Sequence, residues 1–350
     1  MSSITPEQKT RVEGLDSIRF FAVVWVVFSH CGAPPVTEGI DRENLFSFLV
    51  QGVYGNLFAG VPAVIVFFVI SGFCIHHPFR KPGNFQLLPY LTRRYVRIGI
   101  PLVAAIMVSR PFGVKLTLFQ NSVLWSLLAE LIYYSVYPVL RLLLPRMGWK
   151  GLIGASLVLA YAVVCFFPTA MDYSPFGPPL AAVVAFPCWL LGCLLAEQEG
   201  IHAAPDRESM ARRLWFWRLV VWSLSWVCSA LRFHSPIGYP WTLNLFAFAV
   251  FFWLRAEISV SQRWGRNRTL EWAGIWSYSV YLIHLIAEAA YARMPLPNFG
   301  CNLNWLVKML VIFGASYVFY LIFEKPGHFL ARALARVLTQ RRIAAEATNS

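Results

Sequence analysis

The strongest constraint on the fold is a series of apolar runs of about 20 residues, each long enough to cross a bilayer as an α-helix. These runs recur along all 350 residues of the chain. Backbone groups in lipid must find their hydrogen bonds within the protein, and the runs are too long and too continuously apolar for barrel strands. The sequence therefore predicts an all-α, polytopic membrane protein.

About ten transmembrane helices are predicted, at residues 15–31, 58–77, 95–110, 121–141, 151–168, 178–196, 214–231, 237–254, 272–292 and 303–323. The composition agrees, since 58% of the residues are hydrophobic and only 13% are charged. The mean hydropathy of +0.56 is far above that of a soluble domain. We expect a polar tail at 1–14, a membrane domain at 15–325, and a basic tail at 326–350 that carries a short interfacial helix.

The basic residues predict the topology. With the N-terminus in the cytoplasm, 23 of the 30 Lys and Arg residues fall on inner segments and six fall on outer ones. This is the positive-inside pattern, and it places both termini in the cytoplasm. The net charge of +13 is thus mainly a topology signal, and no nucleic-acid partner is expected.

The first apolar run, LDSIRFFAVVWVVFSH, carries polar residues at both ends. Asp16 and Arg19 are three residues apart, so they can pair on a helix. Arg19 and His30 are separated by about 16 Å of helical rise and lie within roughly 20° of one face. Charge inside a span is costly and commonly marks a site. The alternative is that both residues only anchor the helix at the two interfaces.

A basic cluster precedes the third span, in the segment RKPGNFQLLPYLTRRYVRIGIP. Arg94 and Arg97 share a helical face there, and Arg93 is adjacent. Guanidinium groups offer planar donor forks that suit phosphate. The alternative is ordinary positive-inside anchoring.

Two later spans carry polar side chains at helical spacing. Glu130 lies mid-span with Ser126 one turn away, and a buried carboxylate needs a partner or a proton. Tyr281, His284 and Glu288 share one face of the ninth span. His284 either hydrogen-bonds Glu288 or lines the cavity that Glu130 faces.

For three further polar features, the sequence favours a structural role or no functional role. Glu324 ends the tenth span, and we expect it to pair with an inner arginine. The HAAPD segment at 202–206 matches an HxxxD pattern but lies in a charged loop, so no functional role is expected for it. His76 and His77 point about 100° apart on a helix, so no metal site is expected.

In order, these segments resemble the acyltransferase-3 family of bacterial integral membrane proteins. Arg19 and His30 match the family's arginine and histidine, which are separated by ten intervening residues. VIVFFVISGFCI resembles the second-helix signature, RRYVRI the Arg-x-x-Arg motif, and LWSLLAELIYYSVYP the Trp-Ser-Leu-x-x-Glu helix. SYSVYLIH and FEKP resemble the late segments, so the matches extend over residues 14–326.

The resemblance implies that the 15–325 domain is a transmembrane acyltransferase of the bacterial cytoplasmic (inner) membrane. Such proteins move an acyl group, often acetyl, from cytoplasmic acyl-CoA to a hydroxyl of a glycan or glycolipid. We therefore expect acyl-CoA, with acetyl-CoA foremost, as the donor and a cell-envelope glycan or glycolipid as the acceptor.

Geometry and resemblance together give the site residues expected roles. Arg93, Arg94 and Arg97 would bind the CoA phosphates at the inner face. His30 would be the general base near the outer face, because an imidazole titrates at about pH 6.5. The other expected residues are Arg19 and Glu130, grouped with His30 as catalytic, and Asp16, Ser126, Tyr281 and His284, grouped as substrate-binding.

A second class of function fits the same spans and buried charges. The chain could be a non-enzymatic transporter or flippase of a glycolipid or anionic solute. The absence of a visible internal repeat argues against this class, since many transporters are built from such repeats.

Overall fold

The computed structural model describes residues 12, 14–37, 44–80, 85–117, 123–199, 207–265 and 267–348, with side chains described up to residue 342. All regular structure in these ranges is helical, which confirms the all-α prediction. The helices are α1 Leu15–Cys31, α2 Leu45–Gly55, α3 Gly60–His76, α4 Leu87–Ser109, α5 Trp125–Cys165, α6 Gly177–Gln198, α7 Arg207–His234, α8 Tyr239–Trp264, α9 Arg268–Gly274, α10 Ser277–Tyr291, α11 Cys301–Phe319 and α12 Lys325–Thr348.

Every predicted span overlaps one of these helices. In the described part of the chain, seven helical stretches are long and apolar enough to cross a membrane: Leu45–Phe79, Leu87–Phe112, Trp125–Cys165, Ser174–Gln198, Arg207–His234, Tyr239–Trp264 and Cys301–Arg342. The chain is therefore a multi-pass membrane protein. Helices α1 and α10 are shorter, with 17 and 15 residues, and α5 contains two predicted spans. The count of ten crossings and the cytoplasmic termini stay predictions.

The helix boundaries differ from the predicted spans at three places. Helix α4 begins at Leu87, so the arginine cluster lies inside the helix rather than at its start. The stretch labelled α5 consists of two helices that meet at a sharp kink at Gly148, where φ is 64° and ψ is 170°, so the predicted inner loop is reduced to this kink. Glycine tolerates this positive φ because it has no Cβ. Helix α2 lies within the predicted outer loop, where the side chain of Asn44 accepts a hydrogen bond from the Ser47 N–H at 2.8 Å.

The predicted tail helix is longer than expected. A π-helical turn over Tyr320–Glu324 follows α11 directly, and α12 then runs from Lys325 to Thr348. Helix α12 packs along α4. Gly327 contributes to this contact, since a Cβ placed there would lie 3.5 Å from the Ile100 side chain.

Helices α3 and α6 form the centre of the bundle. Both are apolar on every face, and a helix of that kind is stable only where neighbours cover it on all sides. Two glycines let their backbones touch: a Cβ on Gly72 would lie 2.0 Å from the Trp189 carbonyl oxygen, and one on Gly192 would lie 2.0 Å from that of Val69. Small residues commonly allow such close packing between membrane helices.

Helix α1 is fixed at both ends against its neighbours. At its start, the Ser17 N–H and hydroxyl donate to Oε1 of Glu271 on α9, at 2.8 and 2.7 Å. At its end, Lys308 donates to the Cys31 carbonyl and Trp305 Nε1 donates to the Gly32 carbonyl at 2.9 Å. These bonds satisfy backbone groups that a helix end leaves unpaired, and they hold Arg19 and His30 at fixed heights.

Replacing Gly72 with alanine should destabilise the protein by about 1–3 kcal/mol, because the new methyl group would overlap the α6 backbone. The thermal unfolding midpoint of detergent-purified protein measures this loss. Gly154→Ala is the matched control, since nothing lies within 4 Å of a Cβ at that helical position. An equal midpoint for wild type and Gly72→Ala would contradict the close packing.

Candidate active site

Two histidines meet where the outer part of α1 approaches α10. Nδ1 of His30 lies 2.9 Å from Nε2 of His284, and the two rings are nearly parallel, with an interplanar angle of 9° and centroids 5.1 Å apart. His284 is fully buried, whereas His30 is exposed. The buried His284 ring therefore holds the exposed His30 ring in position.

The hydrogen bonds of His284 fix the proton positions of this pair. Its Nδ1 lies 2.9 Å from the Tyr281 carbonyl oxygen and 3.2 Å from that of Val280. A carbonyl oxygen can only accept, so Nδ1 of His284 carries the proton and Nε2 carries a lone pair. That lone pair accepts from Nδ1–H of His30. Nε2 of a neutral His30 is then unprotonated and free to act as a base.

Tyr281 and Ser126 lie beside the histidine pair, as the sequence predicted for a common site. The Tyr281 hydroxyl donates to the Val123 carbonyl, so the Ser126 hydroxyl donates to Tyr281, at 2.6 Å. The Tyr281 ring is 6.2 Å from the His284 ring, measured between centroids. This network joins α5 to α10 next to the outer end of α1.

Glu130 lies one turn from Ser126 in α5 and has its own partners. Its Oε1 accepts from the Ser71 hydroxyl at 2.5 Å and from the Tyr134 hydroxyl. Within the described residues, His30 makes its hydrogen bond to His284 and makes none to Glu130. His284, expected among the substrate-binding residues, is therefore the hydrogen-bond partner of His30, and Glu130 is not.

The inner end of α1 carries the expected ion pair. Nη1 of Arg19 lies 2.6 Å from Oδ1 of the buried Asp16. Nη2 of Arg19 lies 3.1 Å from the Cys74 thiol on α3. Asp16 thus orients the guanidinium toward α3 instead of leaving it at the lipid interface.

The α4 arginines differ in their surroundings. Arg94 lies 5.9 Å from the centroid of the Tyr134 ring, and its buried Nε has no hydrogen-bond partner among the described residues. Arg97 lies within electrostatic range of Arg94 and Arg19. Arg93 is exposed. Three guanidinium groups from α1 and α4 therefore gather at the inner end, a distribution that favours an anionic ligand.

Glu324 has different partners from those expected. Its Oε2 accepts from the Ser279 hydroxyl at 2.5 Å and from the Ser279 N–H at 3.1 Å, and its Oε1 lies 3.5 Å from His328. Nε of Arg97 is hydrogen-bonded to the same His328, at 3.0 Å. Both contacts use Nε2 of His328, which accepts from Arg97 and therefore cannot also donate to Glu324. Among the described residues, Glu324 does not form the expected direct ion pair with an arginine, although Arg97 lies within electrostatic range of it.

Several partners in this site were missed by sequence reasoning. Tyr134 follows Glu130 by one helical turn, and that spacing could have identified it. The same spacing places His328 one turn after Glu324, but Ser71 carried no such signal, because its contact with Glu130 depends on how distant helices pack. His284 was considered as a partner of Glu288, but Glu288 instead lies 3.6 Å from Lys308.

The discounted histidine motifs have separate outcomes. The HxxxD segment at 202–206 lies outside the described residues. Nε2 of His76 lies 2.7 Å from Glu197, and Nε2 of His77 lies 2.5 Å from Glu199, so each histidine has its own carboxylate. In the ranges the structure covers, no group of three or more His, Cys, Asp or Glu residues is arranged to hold a metal ion.

The comparisons with known proteins agree with this geometry. The fold and the site define a polytopic membrane protein in which α1 carries polar residues at both of its ends. A family model described as an acyltransferase domain matches residues 12–324, and the chain belongs to this acyltransferase-3 family. The comparisons with curated proteins and with solved structures gave no match. The expected family is confirmed, and membership supports a general acyltransferase activity.

The exposure of the two rings predicts selective chemical modification. Diethyl pyrocarbonate acylates accessible, unprotonated imidazole nitrogens, so it should label His30 at neutral pH and leave the buried His284 unlabelled. Peptide mapping by mass spectrometry of folded protein in detergent measures both sites. Unfolded protein, in which both histidines should react, is the control. Equal labelling of His284 in the folded protein would contradict the arrangement.

Proposed function

We propose that this protein transfers an acyl group, acetyl in the simplest case, from cytoplasmic acyl-CoA to a hydroxyl of a cell-envelope glycan or glycolipid. The observation that carries the proposal is the free Nε2 of His30, which His284 holds in the basic tautomer. That base lies at the opposite end of α1 from the guanidinium cluster. The positive-inside pattern supports placing the cluster in the cytoplasm and the base in the outer half of the membrane, and the family resemblance implies that this membrane is the bacterial inner membrane.

The inner cluster would bind the donor. Arg94 and Arg97, with Arg93 close by, would hold the CoA phosphates, and the unpartnered Nε of Arg94 offers a donor already free for this purpose. Arg19, oriented by Asp16, would extend the cluster toward α3. The separation of about 16 Å along α1 is comparable to the length of the pantetheine arm, so the thioester would reach the level of His30.

The outer end would carry out the transfer. Nε2 of His30 takes the proton of the acceptor hydroxyl while the hydroxyl oxygen attacks the thioester carbonyl carbon. The carbon–oxygen bond forms, the carbon–sulfur bond breaks, and the proton passes from His30 to the CoA sulfur. During the attack His30 is cationic, and His284 relays that charge toward the α10 carbonyl groups that accept from it. This stabilisation needs no reorganisation, since the hydrogen bonds exist beforehand.

The remaining site residues would shape the path between the two ends. Ser126 and Tyr281 line it beside the histidine pair, where their hydroxyl groups would contact the donor arm or the acceptor. Glu130, held by Ser71 and Tyr134, would act electrostatically one turn farther along α5. The bilayer supplies the boundary that the acyl group crosses.

Loss of the base should abolish turnover. His30→Gln keeps a polar side chain but has no basic nitrogen, so kcat should fall by about 100-fold or more. His284→Phe removes the acceptor that orients His30 and should also lower kcat, with the KM for acyl-CoA unchanged. The measurement is CoA release by purified protein given acetyl-CoA and an envelope extract.

For both variants, the amount of protein in the membrane controls for expression, and the elution profile of the purified protein controls for folding. CoA release by His30→Gln at the wild-type rate would remove His30 from the mechanism. A wild-type protein that releases no CoA, yet moves a glycolipid across vesicles, would favour the transporter class.

Loss of the inner guanidinium groups should weaken donor binding. Arg94→Ala combined with Arg97→Ala should raise the KM for acetyl-CoA by about tenfold or more, because each charged hydrogen bond contributes about 1.5–3 kcal/mol. For acetyl-dephospho-CoA, which lacks one phosphate, the difference in KM between wild type and the double variant should be smaller. Arg212→Ala is the matched control, an exposed arginine on the same predicted side. An unchanged KM in the double variant would remove the phosphate role.

A further inference from the structure

A second charged pair lies next to the reactive histidine, toward the predicted outer surface. Glu288 of α10 and Lys308 of α11 face each other with Oε1 and Nζ 3.6 Å apart. Their side chains are 31% and 22% exposed, so both are accessible without being fully solvated. Neither residue has a role in the mechanism described above.

Two contacts place this pair at the base. Lys308 donates to the carbonyl of Cys31, the residue directly after His30. Glu288 follows His284 by one turn of α10, on the same face, and lies within electrostatic range of His30. The Glu288–Lys308 pair therefore lies next to the exposed His30 ring, on its predicted outer side.

The pair leaves hydrogen-bonding capacity unused. The 3.6 Å separation exceeds the usual range for a charged hydrogen bond, which is about 2.7–2.9 Å. An ammonium group has three N–H donors, and a carboxylate accepts through two oxygens. The Cys31 carbonyl takes one donor of Lys308, and the Cys31 thiol hydrogen-bonds the Glu288 carboxylate. A ligand hydroxyl can still accept from a second Lys308 N–H and donate to a remaining lone pair of Glu288 at the same time. A hydroxyl is the common polar group that can do both.

We propose that Glu288 and Lys308 form an acceptor subsite that binds a sugar hydroxyl next to the one being acylated. The subsite rests on the proposed function and narrows its acceptor to a polyhydroxy compound with neighbouring hydroxyl groups. One hydroxyl is held by the charged pair while its neighbour faces Nε2 of His30. Lys308 also holds the end of α1, which couples acceptor binding to the position of the base.

The test separates acceptor binding from donor binding. Purified protein receives radiolabelled acetyl-CoA and a serially diluted carbohydrate extract of its host's cell envelope. Glu288→Gln preserves the side-chain shape and the Lys308 bond to Cys31, but removes the charge. The amount of extract that gives half-maximal labelling should rise about tenfold, while the KM for acetyl-CoA stays at the wild-type value. Lys308→Met should show the same split between acceptor and donor, with an additional fall in kcat because it also loses the bond to Cys31.

Asp172→Asn is the matched control. Asp172 and Arg232 form a pair of similar length, 3.5 Å, and similar exposure, 37% and 27%, which joins the α5–α6 connection to the end of α7. The Asp172→Asn variant should need the same amount of extract for half-maximal labelling as wild type. An unshifted extract titration for Glu288→Gln, or an equal shift in both substrates, would overturn the subsite while leaving the transferase activity standing. Wild-type protein that transfers no label would overturn the proposed function and the subsite with it.

Discussion

The hydrocarbon interior of a bilayer supplies no hydrogen-bond partners, and the rest of this structure depends on that constraint. A charged or polar side chain in such a place must find its partner within the protein. The partners found here are specific: Asp16 for Arg19, His284 for His30, and Ser71 with Tyr134 for Glu130. Each of these polar groups is therefore paired within the protein, two of them at opposite ends of α1 and the third on α5.

The direction of the histidine relay follows from helix geometry. Near the middle of α10, backbone carbonyls accept from Nδ1 of His284, so that ring has only one nitrogen left to accept from His30. The resulting order of donors leaves the basic nitrogen of His30 on the exposed side. A carboxylate in place of His284 would also accept from His30, but would add a buried negative charge that needs its own partner. A neutral imidazole performs the same orientation without that cost.

Much of this arrangement could be predicted from the sequence because it is local. The apolar runs gave the helices, the three-residue spacing gave the pair of Asp16 and Arg19, and residue types on one helical face grouped Tyr281 with His284. The remainder depends on contacts between residues far apart in the chain. His30 and His284 are 254 positions apart, and nothing in either helix alone indicates that their rings meet. The same holds for the contact between Ser71 and Glu130.

Helix boundaries were the other limit on sequence reasoning. The arginine cluster was expected at the entry to a span, yet α4 starts earlier and carries it on the helix. The residues before 95 include Pro89 and part of the arginine cluster, which suggested a boundary, but α4 begins at Leu87 and α12 packs along this helix. Likewise, the two helices within α5 extend into the predicted inner loop and meet at a sharp kink at Gly148.

The central claim is that α4 and the predicted cytoplasmic end of α1 recognise the donor, while the other end of α1 carries the reactive imidazole. The most direct measurement is a cryo-electron microscopy structure in lipid nanodiscs with a non-hydrolysable ketone analogue of acetyl-CoA. The phosphates should contact Arg94 and Arg97, and the ketone carbon should lie close enough to Nε2 of His30 for a hydroxyl to fit between them, within about 6 Å. An analogue whose ketone stays at the level of Arg19, or whose phosphates bind away from α4, would contradict the claim.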